Sequence, residues 1–386
     1  MPPDPVSAAP RWQVEWESTE MTTEPLPQTP ILLTPGPLTT QLRTRQAMLR
    51  DWGSRDPGFI ALTTELRQRL LDVAKGQGSH VAVPLQGSGT FIVEAAIATL
   101  IAPEDKLLVL CNGAYGERMV AIARRMGRQV EALRWPEDRV VEPARVAEAL
   151  RGDPAVTHVA LVHCETTTGI LNPLPEIAAA VAQAGRHLLL DAMSSFGALP
   201  IDLSAQPVVA VLASSNKCLE GVPGIGFALV RRDVLAARKD NSPSVSLDLE
   251  AQWRGFEGNG QWRFTPPVQV VAALVEALRL LEAEGGPEVR RARYGNNLRT
   301  LLEGMRRLGF TLYLDEAVQA PIIATFRSPE GFDFRRFYDA LAERGFLIYP
   351  GKLTQAESFR IGCIGALGQG DFERLLAAVE EVRASA

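Results

Sequence analysis

From residue 80 to about residue 232, short apolar runs alternate with helical patterns, and this alternation constrains the fold more than any other feature of the chain. The runs at 81–85, 106–110, 156–162, 188–190 and 208–213 are almost wholly apolar, as strands covered on both faces of a parallel sheet are. Helical stretches lie between them, at 91–101, 117–126, 143–151 and after Pro175. The pattern predicts an α/β domain with a mostly parallel sheet and helices on both faces. Ligands of such sheets bind beyond the carboxyl ends of the strands, so the residues just past each strand are the first candidates for a site.

Five of these strand ends carry chemistry. The run at 208–213 turns polar at Ser214, Ser215 and Asn216 and delivers Lys217, followed by the breakers Gly221, Pro223, Gly224 and Gly226. Burying an ammonium is costly, so a lysine here is either a loop lysine in water or one whose desolvated amine reacts. Asp191 ends the run at 188–190; it either caps the next turn or waits for a cation. Gly87, Ser88, Gly89 and Thr90 join a strand to a helix, either as an ordinary turn or as an anion cradle of backbone N–H groups, hydroxyls and helix dipole. This turn is not a Walker A loop, because no Gly-Lys-Ser/Thr follows. Tyr115, between Gly113 and Gly116, is either a half-buried tyrosine or an aromatic face left open for a planar ligand. Glu165, Thr166, Thr167 and Thr168 end the run at 156–162.

The whole chain excludes several other classes. A net charge of −5 leaves no basic excess to neutralise nucleic-acid phosphates. No apolar run is long enough to span a membrane, and the start lacks the basic and apolar regions of a secretory signal. Cys111, Cys164, Cys218 and Cys363 are scattered, which fits reduced thiols in a cytoplasm. His80, His158, His163 and His187 are isolated and give no metal-ligand spacing.

Along the rest of the chain, residues 1–28 are Pro-rich, polar and without periodicity, and read as a disordered extension. Pro35, Gly36 and Pro37 force an extended turn, after which Thr39 or Thr40 is expected to cap a helix carrying Arg45 to Leu49. The stretch DWGSRDPGF reads as a polar loop; its Arg55 is a solvated arginine or an anion contact. A helix is expected at 268–284, a linker at Gly285 and Gly286, and a basic helix at 289–308 whose arginines form a solvated face. Strands near 322–326 and 346–350, with Arg360 in a short strand before Gly362, complete a smaller α+β domain. The expected division is therefore 1–28 as an extension, 29–285 as the large domain and 286–386 as the small one. Residues 29–45 are placed against the small domain.

A strand-end lysine, a strand-end aspartate, an anion cradle and a stacking aromatic together suit pyridoxal phosphate. The motifs TPGPLTT, LQGSGTFIVEA, VLCNGAYGERM, VHCETTTGILNPL, DAMSSFGALPID, SSNKCLEGVPGIGF and FRIGCIG, in this order, resemble the class V aminotransferases of fold type I. The resemblance runs from about Ile31 to the end. It implies a sheet of the seven-stranded type, and a Schiff-base role for Lys217 with Asp191 as partner of the ring nitrogen. It further implies that Ser88, Gly89, Thr90 and Asn216 hold the phosphate, that Tyr115 stacks on the ring and that Thr166 lies by its 3-oxygen. Thr265 matches a threonine that reaches the phosphate from a partner subunit, which implies a homodimer. Arg360 matches the arginine that binds the substrate's anionic group, and Arg55 one near the mouth of the site. Within the family the motifs are most similar to the branch that transfers the amino group of 2-aminoethylphosphonate to pyruvate. The alternative is a relative acting on alanine or serine with glyoxylate or pyruvate. A desulfurase would need a mobile cysteine, whereas Cys363 reads as core.

Overall fold

The computed structural model describes residues 29–354 and 356–384; the extension expected at 1–28 lies outside the described residues. The large sheet is built from β1 (His80–Gln86), β2 (Lys106–Cys111), β3 (Gln129–Arg134), β4 (Val156–Val162), β5 (His187–Asp191), β6 (Ala210–Ser214) and β7 (Ile225–Arg231). These form one seven-stranded sheet in the order β1-β7-β6-β5-β4-β2-β3. All pairs are parallel except those of β7, which is antiparallel to both β1 and β6.

Successive strand residues face opposite sides, and both sides are filled. Leu108, Leu110, Leu188, Leu190 and Val211 pack with Phe59, Leu66 and Leu70 of helix α1 (Pro57–Val73) and with Leu274 and Leu278 of Val268–Glu284. The alternating set, Leu107, Val109, Leu189 and Leu212, packs with Ile92, Ile97 and Leu100 of α2 (Gly89–Leu100) and Met119 of α3 (Ala114–Arg125). Burying each such side chain contributes about 1.5–3 kcal/mol, so the sheet is anchored from both faces and its strand ends are rigid supports. The fold is the α/β architecture expected from the alternation.

The C-terminal region has its own core, with Phe310, Phe326, Phe337, Phe359 and Phe372 at its centre. A four-stranded antiparallel sheet contains Ile323–Arg327 and Ser358–Gly362 as central neighbours. Helix α4 (Pro287–Arg307) and helix α5 (Gln369–Ala384) pack against this core. The N-terminal segment joins this region: Ile31–Leu32 pairs in parallel with Phe346–Leu347, and Gly362 donates its N–H to the Leu33 carbonyl at 2.8 Å.

Several local expectations need correction. Neither Thr39 nor Thr40 caps the following helix Leu42–Gln46, whose N-cap is Gln41 without a side-chain bond; Thr39 Oγ1 instead accepts from the Leu32 amide at 2.8 Å. Part of the expected polar loop DWGSRDPGF is the start of α1, with Asp56 at the N-cap and Pro57 in the first turn, where a missing N–H costs nothing. Strand β3 escapes the apolar pattern because it is an edge strand whose residues are partly exposed. The arginines of α4 are not all solvated: Arg290 is fully buried and ion-paired to Glu284 at 2.6 Å.

Docking of the N-terminal segment has a direct test. A Cβ on Gly362 would stand 2.3 Å from the Thr34 carbonyl oxygen, too close for either backbone to accommodate. Gly362→Ala is expected to cost about 1–3 kcal/mol through overpacking, read as a lower urea midpoint. An unchanged midpoint would mean that the segment does not lie on this strand.

Candidate active site

The carboxyl ends of β4, β5 and β6 and the N-termini of α2 and α3 surround a cavity of about 190 Å³. Ser88, Gly89, Thr90, Tyr115, Thr166, Asp191, Asn216 and Lys217 all line it, with Arg118, Cys164 and Met193. A parallel sheet leaves its strand ends on one edge, which is why residues so far apart in the chain meet here.

Lys217 follows β6 in a turn closed by the Glu220 N–H on the Lys217 carbonyl at 2.8 Å and the Gly221 N–H on the Ser215 carbonyl at 2.9 Å. Its Nζ donates to the Pro35 carbonyl at 2.5 Å. The N-terminal segment thus reaches across from the small region and forms one wall around the amine. Gly36, at φ +122°, lets it pass: a Cβ there would lie 2.8 Å from Lys217 Nζ. Burial lowers the lysine pKa from 10.5 to about 8, with Arg360 and Lys352 adding to the effect and Asp191 opposing it.

Asp191 ends β5. Its Oδ1 accepts from the Met193 amide at 3.0 Å. Burial, with the nearby charge of Glu165, raises its pKa from 3.8 to about 6. Among the described residues no cation stands within ion-pair distance of it. A carboxylate so placed favours a positive group on the cavity side.

Ser88 precedes α2 with extended backbone and makes no side-chain cap. The first N–H groups of that helix therefore have no side chain satisfying them, and they carry the positive end of the helix dipole. Gly89 permits the close approach of this terminus to the β5 turn, since a Cβ there would lie 2.7 Å from Met193 Sδ. The cradle offers the donors that a phosphate needs.

Glu165 is fully buried under α3. It accepts from Thr167 Oγ1 at 2.6 Å, the Thr167 amide at 3.1 Å and the Tyr115 amide at 3.0 Å. Burial raises its pKa, and these bonds oppose the rise. It holds the first turn of α3, and with it Tyr115, against the end of β4. The sequence marks Glu165 only as one polar residue among four.

Arg360 is buried beside the cavity, donating from Nη1 to the Thr166 carbonyl and from Nε to the Pro350 carbonyl, both at 3.0 Å. Arg55 and Thr265 are exposed and do not line the cavity of this chain. Sequence reasoning passes over Arg118, which reaches Thr90 Oγ1 at 3.3 Å and lies 4.8 Å from the Tyr115 ring centre. The available signal is its position one turn beyond Tyr115 in a helix whose first turn faces the cavity.

An anion cradle, a poised amine and a cation-seeking carboxylate on one cavity define a pyridoxal-phosphate-type site on an α/β sheet. The chain belongs to the class V aminotransferases, whose family model matches residues 54–360. It is 53% identical over 354 residues to the 2-aminoethylphosphonate–pyruvate transaminase 2 of Burkholderia lata, covering 91% of this chain and 94% of that protein. It is 52% identical to the 2-aminoethylphosphonate–pyruvate transaminase of Pseudomonas putida, covering 92% of this chain and 96% of that one. Among solved structures, alanine–glyoxylate aminotransferase from Nostoc sp. superposes with a TM-score of 0.87 at 28% identity, covering 95% of this chain and 98% of that chain. The cofactor is pyridoxal 5′-phosphate, and the donor set fits it: hydroxyls and a helix N-terminus for the phosphate, an amine for the aldehyde and a buried carboxylate for the ring nitrogen.

The lysine makes a measurable statement about pH. Between about pH 8 and 10.5 the buried amine is neutral, whereas a lysine in water would still be protonated. The rate at which the cofactor-free protein takes up pyridoxal 5′-phosphate is expected to rise with pH and reach half its maximum near pH 8. A rise centred near pH 10 would mean that the amine is solvated.

Proposed function

We propose that this chain transfers the amino group of 2-aminoethylphosphonate to pyruvate, giving phosphonoacetaldehyde and L-alanine. The observation that carries the reading is one cavity lined by Lys217, Asp191 and the α2 N-terminus, with the guanidinium of Arg360 buried beside it. The extent of likeness to the Burkholderia and Pseudomonas transaminases supports the choice of substrates.

When bound, pyridoxal phosphate supplies an aldehyde that takes up the amino group and a ring that accepts an electron pair from the donor carbon. The chain supplies the rest. Ser88 and Thr90 hydroxyls, the Gly89 and Thr90 amides and Asn216 would hold the phosphate end. Tyr115 would supply an aromatic face for the ring, and Thr166 a hydroxyl for its oxygen. Asp191 would face the ring nitrogen and keep it protonated. Lys217 Nζ, whose burial favours the neutral amine, would take the proton from the donor carbon and pass it to the cofactor's exocyclic carbon, and would move a proton the opposite way, onto the acceptor carbon, in the second half of the reaction. Arg360 binds the anionic end of each substrate in turn, since its planar fork suits both phosphonate and carboxylate.

A second copy of the chain completes the site in this reading. Thr265 and Arg55 are exposed on one protomer, as residues given to a partner's cavity would be. Phe264 beside Thr265 and Leu49 are large apolar side chains in water, 46% and 83% exposed, and a homodimer would cover them. The four cysteines are buried and unpaired, which suits the reducing cytoplasm proposed as its location.

Two measurements test the reading. Purified protein assayed with pyruvate is expected to favour 2-aminoethylphosphonate over alanine and serine as donor by at least about tenfold in kcat/KM; preference for alanine or serine would replace the substrate assignment. Lys217→Ala is expected to abolish turnover in a folded protein, Asp191→Ala to lower it by roughly a hundredfold or more, and Arg360→Ala to raise KM for both donor and acceptor. Near-normal turnover in the lysine variant would refute the assignment of the base.

A further inference from the structure

A cluster of buried and half-buried charge lies outside the cavity, where α4 begins. Arg290, Arg293 and Tyr294 share one face of that helix and meet Glu220, which stands three residues after Lys217. Glu220 Oε1 accepts from the Tyr294 hydroxyl at 2.6 Å and from Arg293 Nη2 at 2.7 Å. Arg290 donates from Nη1 to the carbonyl of Cys218, the residue next to Lys217, at 2.9 Å. Glu284 closes the set, taking Arg290 Nη2 at 2.6 Å and Arg293 Nε at 2.8 Å. Burial works against the charge on Arg293, yet Glu284 and Glu220 raise its pKa above the ordinary arginine value.

The same helix face also holds the other side of the site. Arg293 Nη1 donates to the carbonyls of Gly365 at 2.6 Å and Leu367 at 2.9 Å. The Tyr294 hydroxyl accepts from the Gly365 N–H at 3.4 Å, and Asn297 Nδ2 donates to the Cys363 carbonyl at 3.1 Å. These carbonyls belong to the turn that leaves Ser358–Gly362, the strand bearing Arg360. One arginine therefore grips the turn after Lys217 with one nitrogen and the turn after the Arg360 strand with another.

Stability alone is a poor reason for such a cluster, because a buried ion pair is often no better than apolar packing of the same volume. Directional bonds do what apolar packing does not: they fix positions. Glu220 sits at φ 58°, a left-handed conformation that a side chain adopts only when its surroundings hold it. Its carboxylate bonds hold it there.

We infer that Glu220, Arg290, Arg293 and Tyr294 are positioning residues that set the separation between Lys217 and Arg360; the inference rests on the roles proposed above for those two residues. A substrate with an amine at one end and an anion at the other must span this separation, and an error of an ångström at a reacting centre can cost about a hundredfold in rate.

The test compares three amine donors in the wild-type holoenzyme and in Glu220→Gln/Arg293→Met. The double variant removes both charges, so no lone carboxylate is left inside. 2-Aminoethylphosphonate and L-alanine must reach both Lys217 and Arg360. Ethylamine has no anionic end and needs the lysine alone; its half-reaction is followed by the cofactor's absorbance. Expected is a loss of at least about tenfold in kcat/KM for the two anionic donors. The rate with ethylamine should stay within about threefold, and the cofactor-free protein should melt within a few degrees of wild type. An equal loss for all three donors overturns the inference, because it places the fault at the lysine turn. So does a lowered melting temperature with no loss for any donor, which leaves the cluster a structural role only. Should the double variant not fold, Tyr294→Phe removes only the hydroxyl that bridges Glu220 and Gly365, and the same split or its absence decides. If wild type does not turn over 2-aminoethylphosphonate, that result counts against the substrate assignment, and L-alanine against ethylamine judges the clamp.

Discussion

Desolvation of two opposite charges on one cavity wall is the constraint on which the rest of the structure depends. Lys217 and Asp191 stand just past or at the ends of adjacent parallel strands, β6 and β5, where burial strips water from both groups. Burial weakens the charged form of each: the amine loses its proton more easily and the carboxyl holds its proton more tightly. The neutral amine and the ionised carboxylate each call for a partner from outside the chain. Both become favourable beside a group that takes up an amine and offers a cationic ring nitrogen. The pair is thus better explained by what it binds than by what it contributes to the fold.

Two chain segments far from the sheet keep that wall dry and in register. The N-terminal segment pairs with a strand of the small region, then carries the Pro35 carbonyl to the lysine amine. The fit is close: Gly36 faces Lys217 and Gly362 faces Thr34 with no room for a Cβ. On the other side, α4 joins the turn after Lys217 to the turn after the Arg360 strand through Arg293. The site is therefore assembled from both regions of the chain, with Arg360 supplied by the small sheet and Lys217 by the large one.

The parts of this arrangement that depend on local pattern were open to sequence reasoning. Continuous apolar runs mark β1, β2, β4, β5 and β6, which run in one direction and bring their ends to one edge; eight of the eleven candidate residues line the cavity for that reason. Other features depend on partners distant in the chain and leave little local trace. Arg290 and Arg293 look like a solvated face until Glu220 is brought beneath them. Arg118 looks like any exposed helix residue until the first turn of α3 is set against the cavity. The start of α1 is hidden among breakers, Gly53, Ser54, Pro57 and Gly58, although Asp56 before Pro57 is a helix-start signal. Arg55 and Thr265 are exposed and do not join the cavity of a single chain, which no local pattern in the sequence reveals.

The most direct measurement is to treat the cofactor-loaded protein with borohydride, digest it and weigh the peptides. Reduction makes any carbon–nitrogen double bond between protein and cofactor permanent, so the cofactor's mass marks the residue that held it. The account expects that mass on the peptide containing Lys217, with loss of the visible absorbance in step with labelling. Label on another lysine, or full bleaching with no labelled peptide, would contradict it.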